Sequence, residues 1–540
     1  MSAVSTTAGT TEYAQTTMTA VQRSAREFTH PFSGLPGARP RVAGLVSVLT
    51  ADTVQLEELP VIPTDVTAPR RGAALLLLGA QWGRYVAQIL GIVVLARLVG
   101  PADFGIVALA ASVAGLAAVL GDFGLSMAAL RAPTLSDAQR TNLFWMNAGI
   151  GLAATGVVLA VAQPFAAAFD DPRLVAVMCL LAPAFALRSA SAQLRVELNR
   201  SGRYGRLAAS ELCGDLSGLV GAVVLALLGG GYLALALQGT IAAGVTLVLS
   251  VILTPWRPGL PRRGAAMGPL LSFGGNTFLV HVLNYAATNV GTVSVARVAS
   301  DQVIGLFNRA TQLVNLPIDQ LITPLTRVVI PGLADAEDTA DLQRRLVRHQ
   351  TLLCYPTLAY LSLFVATAYP ALDVVLGSAW TGAAPFVPIL AAGALFQILG
   401  YPQYWAFVST GRSGLLLFSE ISGRVATIAL AVVVAPVGPA AVAGAIALGQ
   451  FLLWGVAAVF FLPRTGVSSA ALLRAAIRPI VVFAVALGAG LATSTLVFTS
   501  LPSLPRLVGV GGVWVIVVIA LLLAMCRRDL RVFGGFIRRR

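Results

Sequence analysis

The sequence predicts an all-α polytopic membrane protein of about fourteen transmembrane helices, and composition, punctuation and charge placement each point that way. Of the 540 residues, 57% are hydrophobic and 11% are charged, against roughly 45–50% and about 25% in soluble domains. A helix needs about 20 mostly apolar residues to cross a bilayer, and from residue 72 onward the chain has room for well over ten such stretches. That composition excludes aqueous enzymes, nucleic-acid-binding domains and secreted disulfide scaffolds. The net charge of +14 comes from 37 basic residues, all arginine. In such a chain it reads as topology-setting cytoplasmic arginine, so no nucleic-acid partner is expected.

Taken in order, residues 1–69 are rich in Thr, Ser, Ala and Pro without sustained periodicity. They are expected to be a disordered cytoplasmic N-terminal tail. No basic n-region with an apolar core and cleavage site opens the chain, so no signal peptide is expected. Apolar runs broken by Pro, Gly and charge follow. The first six lie at 72–96, 104–128, 142–165, 173–192, 207–229 and 231–254, within a lobe of residues 70–262. Six more lie at 270–296, 302–328, 348–370, 383–410, 414–435 and 438–462, within a lobe of residues 263–463. Two additional helices, at 472–496 and 506–526, fill residues 464–526. Arginines 527, 528, 531 and 538–540 make residues 527–540 a basic cytoplasmic tail suited to the anionic inner leaflet.

The arginines test this count. With the N-terminus inside, the inner connections carry Arg131, Arg140, Arg200, Arg203, Arg262, Arg263, Arg344, Arg345, Arg412 and Arg464 among others. The outer connections carry only Arg97, Arg173, Arg297 and Arg506. A miscounted span would scramble the alternation from that point on, so both termini are expected to be cytoplasmic.

The chain also repeats itself at an offset of 200 residues. Gly91, Val93, Ala96, Arg97 and Gly105 correspond to Gly291, Val293, Ala296, Arg297 and Gly305. Each half then holds six spans entering from the same side, giving two parallel lobes about an axis along the membrane normal. Parallel-repeat transporters place substrate between such lobes and rock them to alternate access.

Ionisable and amide side chains at bilayer depth are costly and face a protein interior or a hydrated cavity. The seventh span carries Thr277, His281, Asn284, Thr288 and Thr292 on one helical face; the eighth carries Asn308, Gln312, Asn315, Asp319 and Thr323. The first span has a shorter stripe in Gln81, Arg84 or Tyr85, and Gln88. One such side chain is ordinarily helix–helix glue; two long stripes on consecutive helices point to a cavity. The candidate substrate-binding residues are therefore Arg84, Gln88, His281, Asn284, Asn308, Arg309, Gln312, Asn315 and Asp319, with the arginines suited to phosphate oxygens. Candidate coupling acids are Asp122 and the i, i+4 pair Glu211 and Asp215, which could titrate together or simply answer Arg203 and Arg206. Glu420 and Arg424 read as an internal salt bridge. Pro317 and Pro324 flank Asp319 and would free carbonyls near the stripe.

Cys179, Cys213, Cys354 and Cys526 have no CxxC spacing and no nearby His, so neither metal nor cofactor is expected.

The segment LARLVGPADFG at 95–105, with DFGLS at 122–126, resembles the opening of bacterial polysaccharide exporters. GGGYLALALQG at 229–239 is similar to their fifth-to-sixth span turn, and IGLFNRATQLVNLPIDQLITPLTRVVIPGL at 304–333 to their eighth span. LGSAWTGAAPFVPILA at 376–391 and STGR at 409–412 are similar to the region of their tenth span. The family is the Wzx-like polysaccharide transporters, lipid-linked oligosaccharide flippases of the multidrug/oligosaccharidyl-lipid/polysaccharide (MOP) superfamily, and the resemblance spans residues 72–462. It implies a MOP flippase-like fold in a bacterial inner membrane. It also implies movement of polyprenyl-diphosphate-linked glycan to the outer leaflet, beside polysaccharide polymerases and glycosyltransferases.

Four other readings compete. A cation-coupled drug antiporter would want an acid deep in the first span, and there is none. A lipid II flippase shares the span count but not the motif blocks. A membrane polymerase or ligase would want a large outer loop, and no outer connection exceeds about a dozen residues. A purely structural membrane scaffold would not need the buried polar stripes.

Overall fold

The structure, a computed structural model, describes residues 71–122, 125, 129–130, 132, 134–263 and 267–525. The expected tails at 1–69 and 527–540 lie outside the described residues, as do the side chains of Gln81, Asp122 and Thr277.

Apolar runs of this length satisfy their backbone only as helices in hydrocarbon, and each of the fourteen expected runs holds one helical rod. The first six are α1 (Arg71–Leu98), α2 (Pro101–Asp122), α3 (Asp137–Ala168), α4 (Arg173–Leu181 and Pro183–Arg200), α5 (Tyr204–Leu227) and α6 (Gly231–Leu253). Next come α7 (Gly268–Ala296), α8 (Asp301–Ala334), α9 (Thr339–Val375), α10 (Phe386–Ser409), α11 (Ser413–Val434) and α12 (Pro439–Val456). The last two are α13 (Ser469–Ala492) and α14 (Ser503–Met525). By length and apolarity, eleven helices among the described residues suffice to cross a membrane, and Pro101–Ala117 is a shorter apolar one.

Helix starts follow local chemistry. Ser136 opens α3 in a capping box with Gln139, and the Asp338 carboxylate accepts from the Asp341 amide at 2.6 Å. That cap explains why α9 begins at Thr339, nine residues before the apolar run at 348.

Packing reproduces the 200-residue repeat. In the first half α1 packs on α5, α3 on α4, and α4 and α5 on α6; in the second, α7 packs on α11, α9 on α10, and α10 and α11 on α12. The α4–α5 and α10–α11 turns are near copies, Ser-Gly-Arg at 201–203 and Thr-Gly-Arg at 410–412. Gly202 and Gly411 have φ of 68° and 69°, a left-handed conformation that favours glycine. The arginine amides close both turns, Arg203 onto the Leu198 carbonyl at 2.9 Å and Arg412 onto that of Phe407 at 3.0 Å.

The extension α13–α14 packs on α9. There the Trp514 Nε1 donates to Ser362 Oγ at 3.1 Å, and the Trp514 and Phe483 rings stack 6.1 Å apart. The second half and the extension share one continuous apolar core, whereas the first half divides its core into three clusters.

Candidate functional site

The halves meet most closely where α2 crosses α8. A Cβ on Gly105 would lie 1.9 Å from the Asp301 carbonyl oxygen, and one on Gly305 would lie 1.9 Å from that of Pro101. Residues 101 and 105 correspond to 301 and 305 at the repeat offset, so the two contacts are images of each other. Neither position admits a side chain, because the backbones themselves touch.

Around this crossing the α1–α2 end is sealed. Arg173 of the first half bonds Asp171 and reaches Asp301 of the second, each at 2.7 Å. Arg97 donates to the carbonyls of Val374 and Val375 at the end of α9, and Arg297 lies 4.7 Å above the Phe169 ring at the end of α3. Each arginine thus reaches across to the end of the corresponding helix in the other half. Trp380 Nε1 donates to the Ala96 carbonyl at 2.8 Å. Burial would raise the Asp171 carboxyl, but the Arg173 hydrogen bonds and charge outweigh it and hold it below its ordinary value.

Two of the expected stripes start at this seal and open away from it. On α8, Arg309 is 4% exposed, its guanidinium 4.3 Å from the Phe104 ring and 5.3 Å from that of Trp380. Arg309 Nη1 donates to Gln312 Oε1 at 2.6 Å. Asn308, Gln312 and Asn315 are half-buried, and Asp319, Thr323 and Arg327 are exposed. On α7, Thr292 is buried and accepts from Asn308 at 3.4 Å, whereas Thr288, Asn284 and His281 are exposed. Exposure therefore rises along both helices with distance from the crossing. Pro317, Pro324 and Pro331 lie within the unbroken α8, where each removes one backbone donor.

A second polar group lies inside the first half. Arg84 of α1 bonds Glu211 at 2.6 Å and Asp215 at 3.0 Å, and Arg195 of α4 bonds Glu211 at 3.2 Å. The acids thus answer Arg84 and Arg195, not the expected Arg203 and Arg206. Arg206 is five residues before Glu211, on a different face of α5, and donates to the Leu253 carbonyl at 3.2 Å. Arg188, one face with Arg195 on α4, stays solvent-accessible, its guanidinium where a Cβ on Gly239 would lie 3.5 Å away. Neither Arg188 nor Arg195 was expected in a site, since both read as inner-loop arginines; their seven-residue spacing, two turns of one face, was the available signal. Gln88 on α1 is exposed. The expected Glu420–Arg424 pair forms at 2.9 Å.

Two pseudo-symmetric helical halves, sealed at one end and lined by polar faces that open toward the other, define a multi-pass membrane protein of the transporter type. Residues 94–385, more than half of the chain, match the family described as "Polysaccharide biosynthesis protein", and the chain belongs to it. It is 25% identical over 340 residues to the lipopolysaccharide biosynthesis protein WzxC of Escherichia coli K12, matching 60% of this chain and 68% of that one. To the teichuronic acid biosynthesis protein TuaB of Bacillus subtilis 168 it is 22% identical over 317 residues, 56% of this chain and 63% of that one. To the succinoglycan biosynthesis transport protein ExoT of Rhizobium meliloti it is 24% identical, over 58% of this chain and 63% of that one. Among solved structures it superimposes on an inward closed lipid II flippase MurJ with a TM-score of 0.64 at 15% identity, covering 84% of this chain and all of that one. An inward-facing MATE transporter of the MOP superfamily gives a TM-score of 0.53 at 16% identity over 74% of this chain and 99% of that one. The fold is thus that of the MOP superfamily.

Proposed function

We propose that this protein is a flippase that carries polyprenyl-diphosphate-linked oligosaccharide repeat units from the cytoplasmic to the outer leaflet of a bacterial inner membrane, for cell-surface polysaccharide synthesis. The observation that carries the reading is the pair of polar stripes on α7 and α8, closed at the α2–α8 crossing and open at the other end, in a chain of a polysaccharide biosynthesis family. The relatives' names, lipopolysaccharide, teichuronic acid and succinoglycan biosynthesis, differ in glycan and share the making of surface polymers.

The chemistry demands such a path. An unsatisfied sugar hydroxyl taken into hydrocarbon costs roughly 2–7 kcal/mol, so a repeat unit with many hydroxyls does not cross unaided. The amides of Gln88, Asn284, Asn308, Gln312 and Asn315, the His281 imidazole and the Asp319 carboxylate would replace the lost water, while the prenyl chain stays in lipid. The lobes 70–262 and 263–463 would rock about the α2–α8 crossing, with both termini and the 1–69 and 527–540 tails cytoplasmic and 464–526 buttressing the second lobe. The open end is then the cytoplasmic one. No bond is made or broken, so no residue is assigned a catalytic role and no cofactor is needed. Asp122, Glu211 and Asp215 are the acids through which an ion gradient would act, and polymerase and glycosyltransferases are the partners that supply and consume the substrate.

The test is translocation of a labelled polyprenyl-diphosphate oligosaccharide in proteoliposomes, with and without an imposed proton or sodium gradient. Translocation that falls at least tenfold in Asp319→Ala supports the flippase and its stripe together. Translocation that survives in Asp319→Ala and Asn284→Ala keeps the flippase and discards the stripe. Gradient-driven efflux of a soluble organic cation, without any glycan-lipid translocation, replaces the reading with an antiporter.

A further inference from the structure

We infer that the second half carries a binding site apart from the polar stripes, a cavity that takes one small neutral phenol and holds its hydroxyl on the Gln350 side chain. The cavity measures about 180 Å³ and lies where α9, α10 and the end of α12 meet the first turn of α13. Three polar side chains line it, Gln350 of α9, Gln403 of α10 and Ser469 of α13, and the rest of the lining is apolar. Gln350 and Gln403 are 1% and 4% exposed. The Gln403 amide donates to the Trp454 carbonyl at 3.4 Å, and the Ser469 hydroxyl donates to the Ala458 carbonyl. The Gln350 carboxamide oxygen is buried without a hydrogen-bond partner among the described residues. One wall is irregular backbone. After α12 the chain runs on as a π-helical segment, Ala457–Phe461, a form that is rare and frequently marks functional sites, and Ala458 and Val459 of that segment line the cavity.

The lining sets the class of ligand. A buried acceptor left unmet is costly, so the occupant needs a donor at that end. Water is a poor filler, because it takes about two to four polar partners and the other two polar side chains already donate to carbonyls. No charged side chain lines the cavity, which disfavours an ionic ligand. An apolar cavity of about 150 Å³ takes benzene, so this one takes a single ring with one or two small substituents. Trp454 in the lining offers that ring an aromatic partner. Entry also selects for an apolar body. Val459, Ala470 and Leu473 are exposed at the rim and belong to two segments long and apolar enough to cross a membrane. A phenol meets each condition, with a ring that passes the apolar rim and one hydroxyl for Gln350. Once bound it touches α9, α10 and α13 together, so it fastens the α13–α14 extension to the second half and stabilises the fold by mass action.

The experiment is fluorine NMR of para-fluorophenol with the full-length protein in nanodiscs, with empty nanodiscs as the control for partition into lipid. Para-fluorotoluene is the analogue of like shape without a donor, and para-fluorobenzoate the charged one. The variants are Gln350→Leu, which removes the acceptor at similar volume, and Ala470→Phe, which fills the exposed rim. Expected is saturable binding of one phenol per chain, about tenfold tighter than the toluene, with no binding of the benzoate. Gln350→Leu is expected to weaken the phenol at least fivefold and leave the toluene unchanged, and Ala470→Phe to abolish both. The phenol should also raise the melting temperature of wild type and not that of Ala470→Phe. Wild-type uptake no greater than that of empty nanodiscs, or equal affinity for phenol and toluene, overturns the inference. So does a preference for the phenol that persists in Gln350→Leu, or binding that survives Ala470→Phe. If Gln350→Leu does not purify as a single species, the phenol–toluene difference in wild type and the Ala470→Phe result decide. None of these readouts involves translocation, so their failure leaves the flippase reading standing.

Discussion

The two ends of the interface between the halves are built from different chemistry. At the α1–α2 end the contact is backbone on backbone at Gly105 and Gly305, reinforced by Arg173–Asp301 and by Arg309 between two aromatic rings. Farther along, the Tyr285 hydroxyl of α7 still donates across the halves to the Ala111 carbonyl of α2 at 3.0 Å, and the other facing groups are exposed hydroxyls, amides and the Asp319 carboxylate. A seal that must open cannot rest on a large dry interface, and a path that must pass sugars cannot be apolar. The closed end combines one very close crossing with a few separable polar contacts, and the open end keeps its polar groups wet.

This comparison can be broken most severely at the crossing. Gly305→Leu is expected to abolish closure, since even a Cβ would lie 1.9 Å from a carbonyl oxygen. Transport should fall more than tenfold, and the distance between spin labels on the two halves at the α1–α2 end should lengthen. An unchanged distance would show that the crossing is not the seal. Next in size is Arg309→Ala, which removes a desolvated cation from two rings and leaves the Gln312 oxygen unpaired. A cation–π contact of this kind contributes about 2 kcal/mol, so the melting temperature should drop by several degrees in detergent.

A smaller effect is expected at Arg173, which is 47% exposed, so screening keeps its pairs to at most about 1 kcal/mol. Its pH dependence sharpens the test. The Asp171 carboxyl is held below its ordinary value, so its stabilisation is present above the unfolded carboxylate value and is lost as pH falls through the lowered one. The stability gap between wild type and Arg173→Ala should persist at neutral pH and vanish in strong acid, as read from melting curves across that range. The smallest stability change belongs to the open end. Thr323→Ala and Asp319→Asn remove exposed groups and should shift stability by less than about 0.5 kcal/mol, while Asp319→Asn still lowers translocation. A large stability loss there would place Asp319 in the structural core instead.

Much of the fold was legible because its determinants are local. Apolar runs broken by arginine, proline and glycine marked all fourteen helices, and the largest boundary errors, the start of α9 at Thr339 and the end of α4 at Arg200, came from following hydrophobicity into polar helical turns. The pairing of Glu420 with Arg424 was legible for the same reason, since i, i+4 neighbours meet on any helix. The partners of Glu211 and Asp215 were not, because Arg84 and Arg195 lie 127 and 16 residues away from Glu211 and only the packing of α1, α4 and α5 brings them together.

By itself the sequence determined the helices among the described residues, their order, the 200-residue repeat and the stripes on α7 and α8. These follow from composition and from the 3.6-residue period, which hold before any helix meets another. The tertiary structure alone decided that Gly105 and Gly305 form the crossing, that Arg309 lies between Phe104 and Trp380, and that Arg188 joins the Arg84 cluster. Those outcomes depend on which helix faces pack together, and a linear pattern carries no record of facing neighbours a hundred or more residues apart.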